Sequence, residues 1–151
     1  MEIHENNKHH LNSFIQLNEA WITKHFQIEQ SDIELSNNPY SIIEKGGYIF
    51  SLIDNNQVVG VCALFNEGNG IYELARMAVA ENYQGKGFGK ALINKSIEKA
   101  KELNASKLYL ISNTKLETAI ALYKKHGFKA IKLGQHPVYS RANIVMQYEN
   151  T

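Results

Sequence analysis

The chain has 151 residues, 44% hydrophobic and 21% charged, with 16 Lys and Arg against 15 Asp and Glu. This length and balance suit one domain over residues 1–151 with a buried core, and exclude disordered, collagenous and coiled-coil classes. A formal charge of +1 gives no field to hold nucleic acid or an anionic membrane, the lone Cys62 excludes a disulfide framework, and a polar start without a long apolar run points to the cytoplasm.

Leu11, Phe14, Ile15, Trp21, Ile22 and Phe26 recur at helical intervals, so residues 10–26 are expected to form an amphipathic helix with Trp21 as a core anchor. Ser31, Asp32 and Glu34 open a short helix that Asn38-Pro39 ends, with a loop or turn after it. Beyond Gly46-Gly47, apolar runs at 48–53 and 57–65 flank Asp54-Asn55-Asn56 and predict a hairpin, with Cys62 buried in its second strand. A second turn at 66–70 leads to a third antiparallel strand at 71–79. Phe88, Leu92, Ile93, Ser96, Ile97, Ala100 and Leu103 form one stripe, which predicts a helix over 88–103. Residues 107–111 read as a fourth strand and 116–126 as a helix capped by Gly127, while 128–133 and 141–148 read as a closing hairpin. The crossover helix permits the fourth strand to run parallel to the third.

The segment Gln84-Gly85-Lys86-Gly87-Phe88-Gly89-Lys90 precedes the long helix. Glycines there let backbone N–H groups approach a diphosphate at a helix N-terminus. A dinucleotide fingerprint from Gly85 would need glycine where Lys90 stands, and a P-loop would need Ser or Thr where Ala91 stands and glycine in place of Gln84. The pattern [QR]-x-x-G-x-[GA] does match, at Gln84, Gly87 and Gly89. It resembles the pyrophosphate signature of the GNAT superfamily of N-acetyltransferases. The resemblance continues through Glu73-Leu74-Ala75-Arg76-Met77-Ala78-Val79, Leu110-Ile111-Ser112-Asn113 and the run 119–128, and covers roughly residues 45–132.

The resemblance implies a mixed α/β (α+β) fold: a mostly antiparallel sheet of about six or seven strands, flanked by helices, with a parallel pair splayed at the cofactor site. It implies acetyl-CoA as co-substrate, held by Met77, Ala78 and Val79, by Gln84, Gly85, Lys86, Gly87, Phe88, Gly89 and Lys90, and by Asn113. Leu116 stands where many members carry asparagine, so that contact shifts to Asn113 or is lost. The implied reaction is direct sequential attack by a primary amine, on a small molecule or at a protein lysine or N-terminus. The alternative is a non-catalytic acyl-CoA-binding or sensory domain of the same fold.

Tyr123 matches the family's general acid for the coenzyme A sulfur, although its helical face with Leu116, Ala119 and Ile120 also suits a core tyrosine. Glu73 matches a position used for a general base, and strand alternation would set it on one face with Ala75, Met77 and Val79. A carboxylate paired with a basic neighbour is its other reading. Arg141, beside Tyr139, falls where the acceptor pocket often lies and reads either as a clamp on an acceptor carboxylate or as a surface arginine. The six histidines lack metal-site spacing, so no metal is expected, and Cys62 has no adjacent histidine to make it a nucleophile. Homodimers through paired strands are common among similar proteins, which makes a homodimer the assembly to expect if the chain associates.

Overall fold

The structure is a computed structural model that describes residues 2–137 and 139–149. Strand β1 (Glu2–Glu5) precedes three helices, α1 (Leu11–His25), α2 (Gln30–Asn37) and α3 (Ser41–Glu44). Strands β2 (Tyr48–Asp54), β3 (Gln57–Gly68) and β4 (Ile71–Val79) then form a meander. Helix α4 (Phe88–Glu102), β5 (Lys107–Ser112), α5 (Glu117–Lys125), β6 (Phe128–Leu133) and β7 (Ile144–Tyr148) follow. The seven strands make one sheet in the order β1-β2-β3-β4-β5-β7-β6, and only β4 and β5 run parallel.

The meander turns are set by residues that tolerate positive φ. Asn55 and Asn56 (φ 50° and 60°) join β2 to β3, and Asn69 and Gly70 (φ 56° and 75°) join β3 to β4. Two consecutive left-handed residues twist a two-residue loop to match the strands on either side. Both faces of the sheet are covered. Leu92 and Ile93 of α4 pack on Phe50, Leu64, Leu74 and Leu110, while Phe14 of α1 and Ile42 of α3 pack on Ile49, Val61 and Ala63. Among the described residues no helix is long and apolar enough to cross a membrane.

The structure departs from the sequence reading in four places. The N-terminal segment is a strand, with Ile3 opposite Leu52 of β2, and the stretch after Pro39 holds a short helix. The final strand begins at Ile144 rather than at 141: Asn143 donates its amide to the Ser112 carbonyl (3.0 Å), and Arg141 turns away to Asp32.

The fourth departure is in β4. Arg76 has φ 57°, and the β3 register jumps there from Ala63↔Ala75 to Val61↔Ala78. This bulge inserts an extra residue and reverses the facing of the strand beyond it. Met77 and Val79 consequently pack with Tyr72 and Leu74 under α4, whereas Glu73 and Ala75 pair with Phe65 and Ala63, which pack on the α1 side. The expected single face for Glu73, Ala75, Met77 and Val79 is therefore split in two.

Candidate active site

Strands β4 and β5 are paired from Ile71↔Lys107 to Leu74↔Leu110 and then part. Beyond that point Ile111 and Ser112 pair with β7, and residues 75–79 keep only β3 as a sheet partner among the described residues. The β4 flank facing β5 thus presents backbone polar groups that need another partner.

Past the end of β4, Gly85 and Gly87 both adopt left-handed backbone (φ 78° and 84°), and among the described residues nothing lies within 4 Å of where their Cβ atoms would be. Gly87 is the N-cap of α4, and among the described residues no side chain caps that helix. Its first N–H groups therefore point outward with the positive end of the helix dipole. Gln84 donates its side-chain amide to the Val79 carbonyl (3.1 Å), which ties the loop to β4. Phe88 stacks on Tyr83 (5.8 Å), and the Lys86 ammonium lies 5.3 Å from the same Tyr83 ring. Gly89 abuts Leu122 of α5, and Lys90 is exposed in the first turn of α4.

A cavity of about 200 Å³ occupies the cleft where the strands separate. Glu73, Met77, Asn113, Tyr123, Tyr139 and Arg141 all line it, so the fold gathers six of the sequence candidates. Ala78 and Val79 lie outside it; Ala78 is buried beneath α1. Asn113 has local work: it donates to the Arg141 carbonyl (3.1 Å) and accepts from the Lys115 amide (2.9 Å).

Glu73 is 8% exposed. Burial, reinforced by the negative charge of Glu67, pushes its carboxyl up to about 7, against the opposing pull of Arg76 and the Tyr109 hydroxyl. The ion pair that was its alternative reading is absent among the described residues, because the bond Arg76 donates goes to Asp32 (2.6 Å). Burial also raises Tyr123, which meets Phe128 edge-on with ring centroids 6.0 Å apart and keeps its proton throughout the working pH range. Cys62 is fully buried and its thiol is pushed up to about 12.

Asp32 and Arg76 were not among the sequence candidates. Asp32 is the third residue of α2 and closes a capping box by accepting from the Glu29 amide (2.8 Å). It also takes a two-pronged contact from Arg141, Nη1 to Oδ2 and Nη2 to Oδ1, both 2.7 Å. Burial alone would raise its carboxyl; the bonds from Arg141, Glu29 and Arg76 outweigh burial and hold it far below the usual range. Of the two readings of Arg141, neither a clamp on an acceptor carboxylate nor a surface arginine describes it here: its fork is taken by the carboxylate of Asp32 and its side chain is largely buried. Trp21 and Phe26 of the α1 end also line the cavity, so Trp21 serves both the core and the site.

A model of the Acetyltransferase (GNAT) family matches residues 11–128. The chain belongs to the GNAT family. Among its relatives, N-acetylaspartate synthetase of Xenopus tropicalis is 34% identical over 111 residues, 73% of this chain and 40% of that protein. The chain thus spans less than half the length of that relative. The ribosomal protein bS18-alanine N-acetyltransferase of Haemophilus influenzae is 33% identical over 63% of this chain and 66% of its own. A GNAT-family acetyltransferase of Staphylococcus aureus superposes with a TM-score of 0.85 at 25% identity, covering 97% of both chains. The yncA protein of Salmonella typhimurium, solved with its cofactor acetyl-CoA, shares the fold at a TM-score of 0.77 and 19% identity, over 100% of this chain and 96% of its own. This GNAT chain belongs to a family of acetyltransferases, and its mixed sheet with one parallel pair agrees with the fold expected from the loop motif.

Proposed function

We propose that this GNAT enzyme moves an acetyl group from acetyl-CoA to a primary amine by direct attack. The observation that carries the reading is that Glu73 of β4 and Tyr123 of α5 line one cavity at the point where β4 and β5 part. Three features fit acetyl-CoA. The unpaired flank of residues 75–79 offers amides to the pantetheine arm, Gly85 and Gly87 leave open space, and the uncapped start of α4 suits a diphosphate. Bound there, acetyl-CoA supplies an activated thioester carbonyl.

The residues of the chain divide the remaining work. Backbone N–H groups near Met77 polarise the carbonyl, where charge develops during attack. Glu73, with its carboxyl at about 7, takes the proton that an ammonium must lose to become a nucleophile. The Tyr123 hydroxyl, kept protonated by burial, donates to the leaving sulfur. No covalent enzyme intermediate is needed, since Cys62 is buried and its thiol protonated. The N-acetyltransferase names of the relatives support an amine as acceptor.

Thermal unfolding with acetyl-CoA, beside an NAD control, tests the cofactor. At about 100 times Kd the ligand adds roughly 2.7 kcal/mol, or about 5 to 10 °C for a chain of this size. Thiol release with added amines then tests transfer, and Tyr123→Phe should lower kcat about 100-fold while the acetyl-CoA shift persists. No thermal shift, or thiol release that ignores amines, overturns the proposal.

A further inference from the structure

Two arginines reach the site, and they share one carboxylate unequally. Asp32 accepts four bonds: two from Arg141, one from the Glu29 amide and one from Nη1 of Arg76. Two carboxylate oxygens with two acceptor positions each are then fully used. The Arg141 fork is occupied, with Nη1 reaching the Gln27 carbonyl (3.3 Å) as well. Arg76 donates one bond of the five its guanidinium offers, and among the described residues no other acceptor takes the rest.

The Arg76 side chain is only 16% exposed and lines the cavity. Its unused nitrogens are not among the buried side-chain atoms left without a partner, so they remain accessible where the side chain lines the cavity, and an anion entering it can meet the planar fork of Arg76. Its backbone is left-handed at φ 57°, a conformation that a β-branched or long side chain rarely adopts without a reason in the site. Glu73, three residues earlier on the same strand, lines the same cavity and feels the Arg76 charge. The cavity therefore presents an acid that can meet an ammonium beside a guanidinium that can meet a carboxylate.

We infer that the acceptor is a small amine that also carries a carboxylate, a free amino acid, with Arg76 holding the carboxylate and Glu73 facing the amine. The inference deepens the proposed transfer and rests on it. A protein N-terminus or lysine side chain has an amide or methylene where this carboxylate would sit, and a polyamine would bring a second cation against Arg76. The cavity of about 200 Å³ also suits a small acceptor. Asp32 is the positioning residue that aims Arg76 inward.

The test is thiol release from acetyl-CoA by the wild-type enzyme with free amino acids, each beside its own carboxamide. The expected result is a kcat/KM at least about tenfold higher for the best acid than for its amide. In Arg76→Met that ratio should collapse toward one, and Arg76→Lys should restore part of it, because lysine returns the charge without the planar fork. Equal rates on acid and amide overturn the acceptor assignment alone, as does a preference that survives in Arg76→Met. Release from no amine overturns the transferase reading with it. The wild-type comparison decides the matter even if the methionine variant fails to fold.

Discussion

Replacing Glu73 with Gln should make the protein more stable and nearly inactive, by an amount that depends on pH. Burial moves this carboxyl from 4.5 to about 7, so its ionised form costs the folded state roughly 3 kcal/mol. Below pH 4.5 both folded and unfolded chains hold the proton and the cost vanishes. Between 4.5 and 7 the unfolded chain releases it first, so stability falls as pH rises, and above 7 the whole cost is present. Urea unfolding of the wild type and Glu73→Gln should therefore agree within about 1 kcal/mol at pH 4.5 and differ by about 3 kcal/mol at pH 8.5 in favour of the variant. The thermal counterpart at pH 8.5 is about 6 to 12 °C. The wild-type rate should rise with pH through about 7 as the base ionises, and the variant should lose that limb and about 100-fold or more in kcat. A variant less stable than the wild type at pH 8.5, or one that keeps the limb, would refute the argument.

Asp32→Asn removes the anion beneath two largely buried arginines and should cost about 3 kcal/mol or more in urea unfolding at pH 7. Because the Asp32 carboxyl lies below its ordinary 3.8 in the folded state, its stabilisation is present above that pH and fades only as the solution is acidified further; the variant should lack this acid-sensitive component. Gly87→Ala forces a side chain into left-handed backbone and should lower stability by about 1 kcal/mol, although the added Cβ meets nothing. Gly89→Ala separates stability from binding: its Cβ would meet only Leu122 at 3.6 Å, so stability should hold while calorimetry shows weaker acetyl-CoA binding. Cys62→Ala should keep full activity per folded molecule, and the native thiol should resist thiol reagents; a folded but dead variant would overturn direct transfer.

The parts of the fold legible in the sequence are those encoded within a few residues. Asn55-Asn56 and Asn69-Gly70 announce their turns because few other residues adopt such backbone, and the glycines of the Gln84 loop mark the start of α4 for the same reason. Strand β1 was hidden because its polar residues pair with β2 more than 40 positions away, and only that pairing makes Glu2–Glu5 a strand. The bulge was hidden because arginine at φ 57° carries no local signal; a glycine or asparagine there would have shown it. Asp32 was read as part of a helix start, which it is, but its role in the site depends on Arg76 and Arg141, 44 and 109 residues further along the chain. The one available hint was a charged arginine inside the otherwise apolar β4, three residues after another charge.

The sheet order has a consequence for how the protein is made. Strand β7 is the last of the seven in sequence, yet it lies between β5 and β6. While the ribosome is still adding residues before Ile144, β6 has no strand beside it and the outer side of β5 is open. The residues that brace the site from that side, Arg141 on Asp32 and Asn143 on Thr114, enter only just ahead of β7. A nascent chain can complete the meander and α4 early, but it cannot brace this side of the site until residues 141–148 have been made. Removal of residues 141–148 would accordingly take out an interior strand, opening the sheet beside the site rather than trimming its edge.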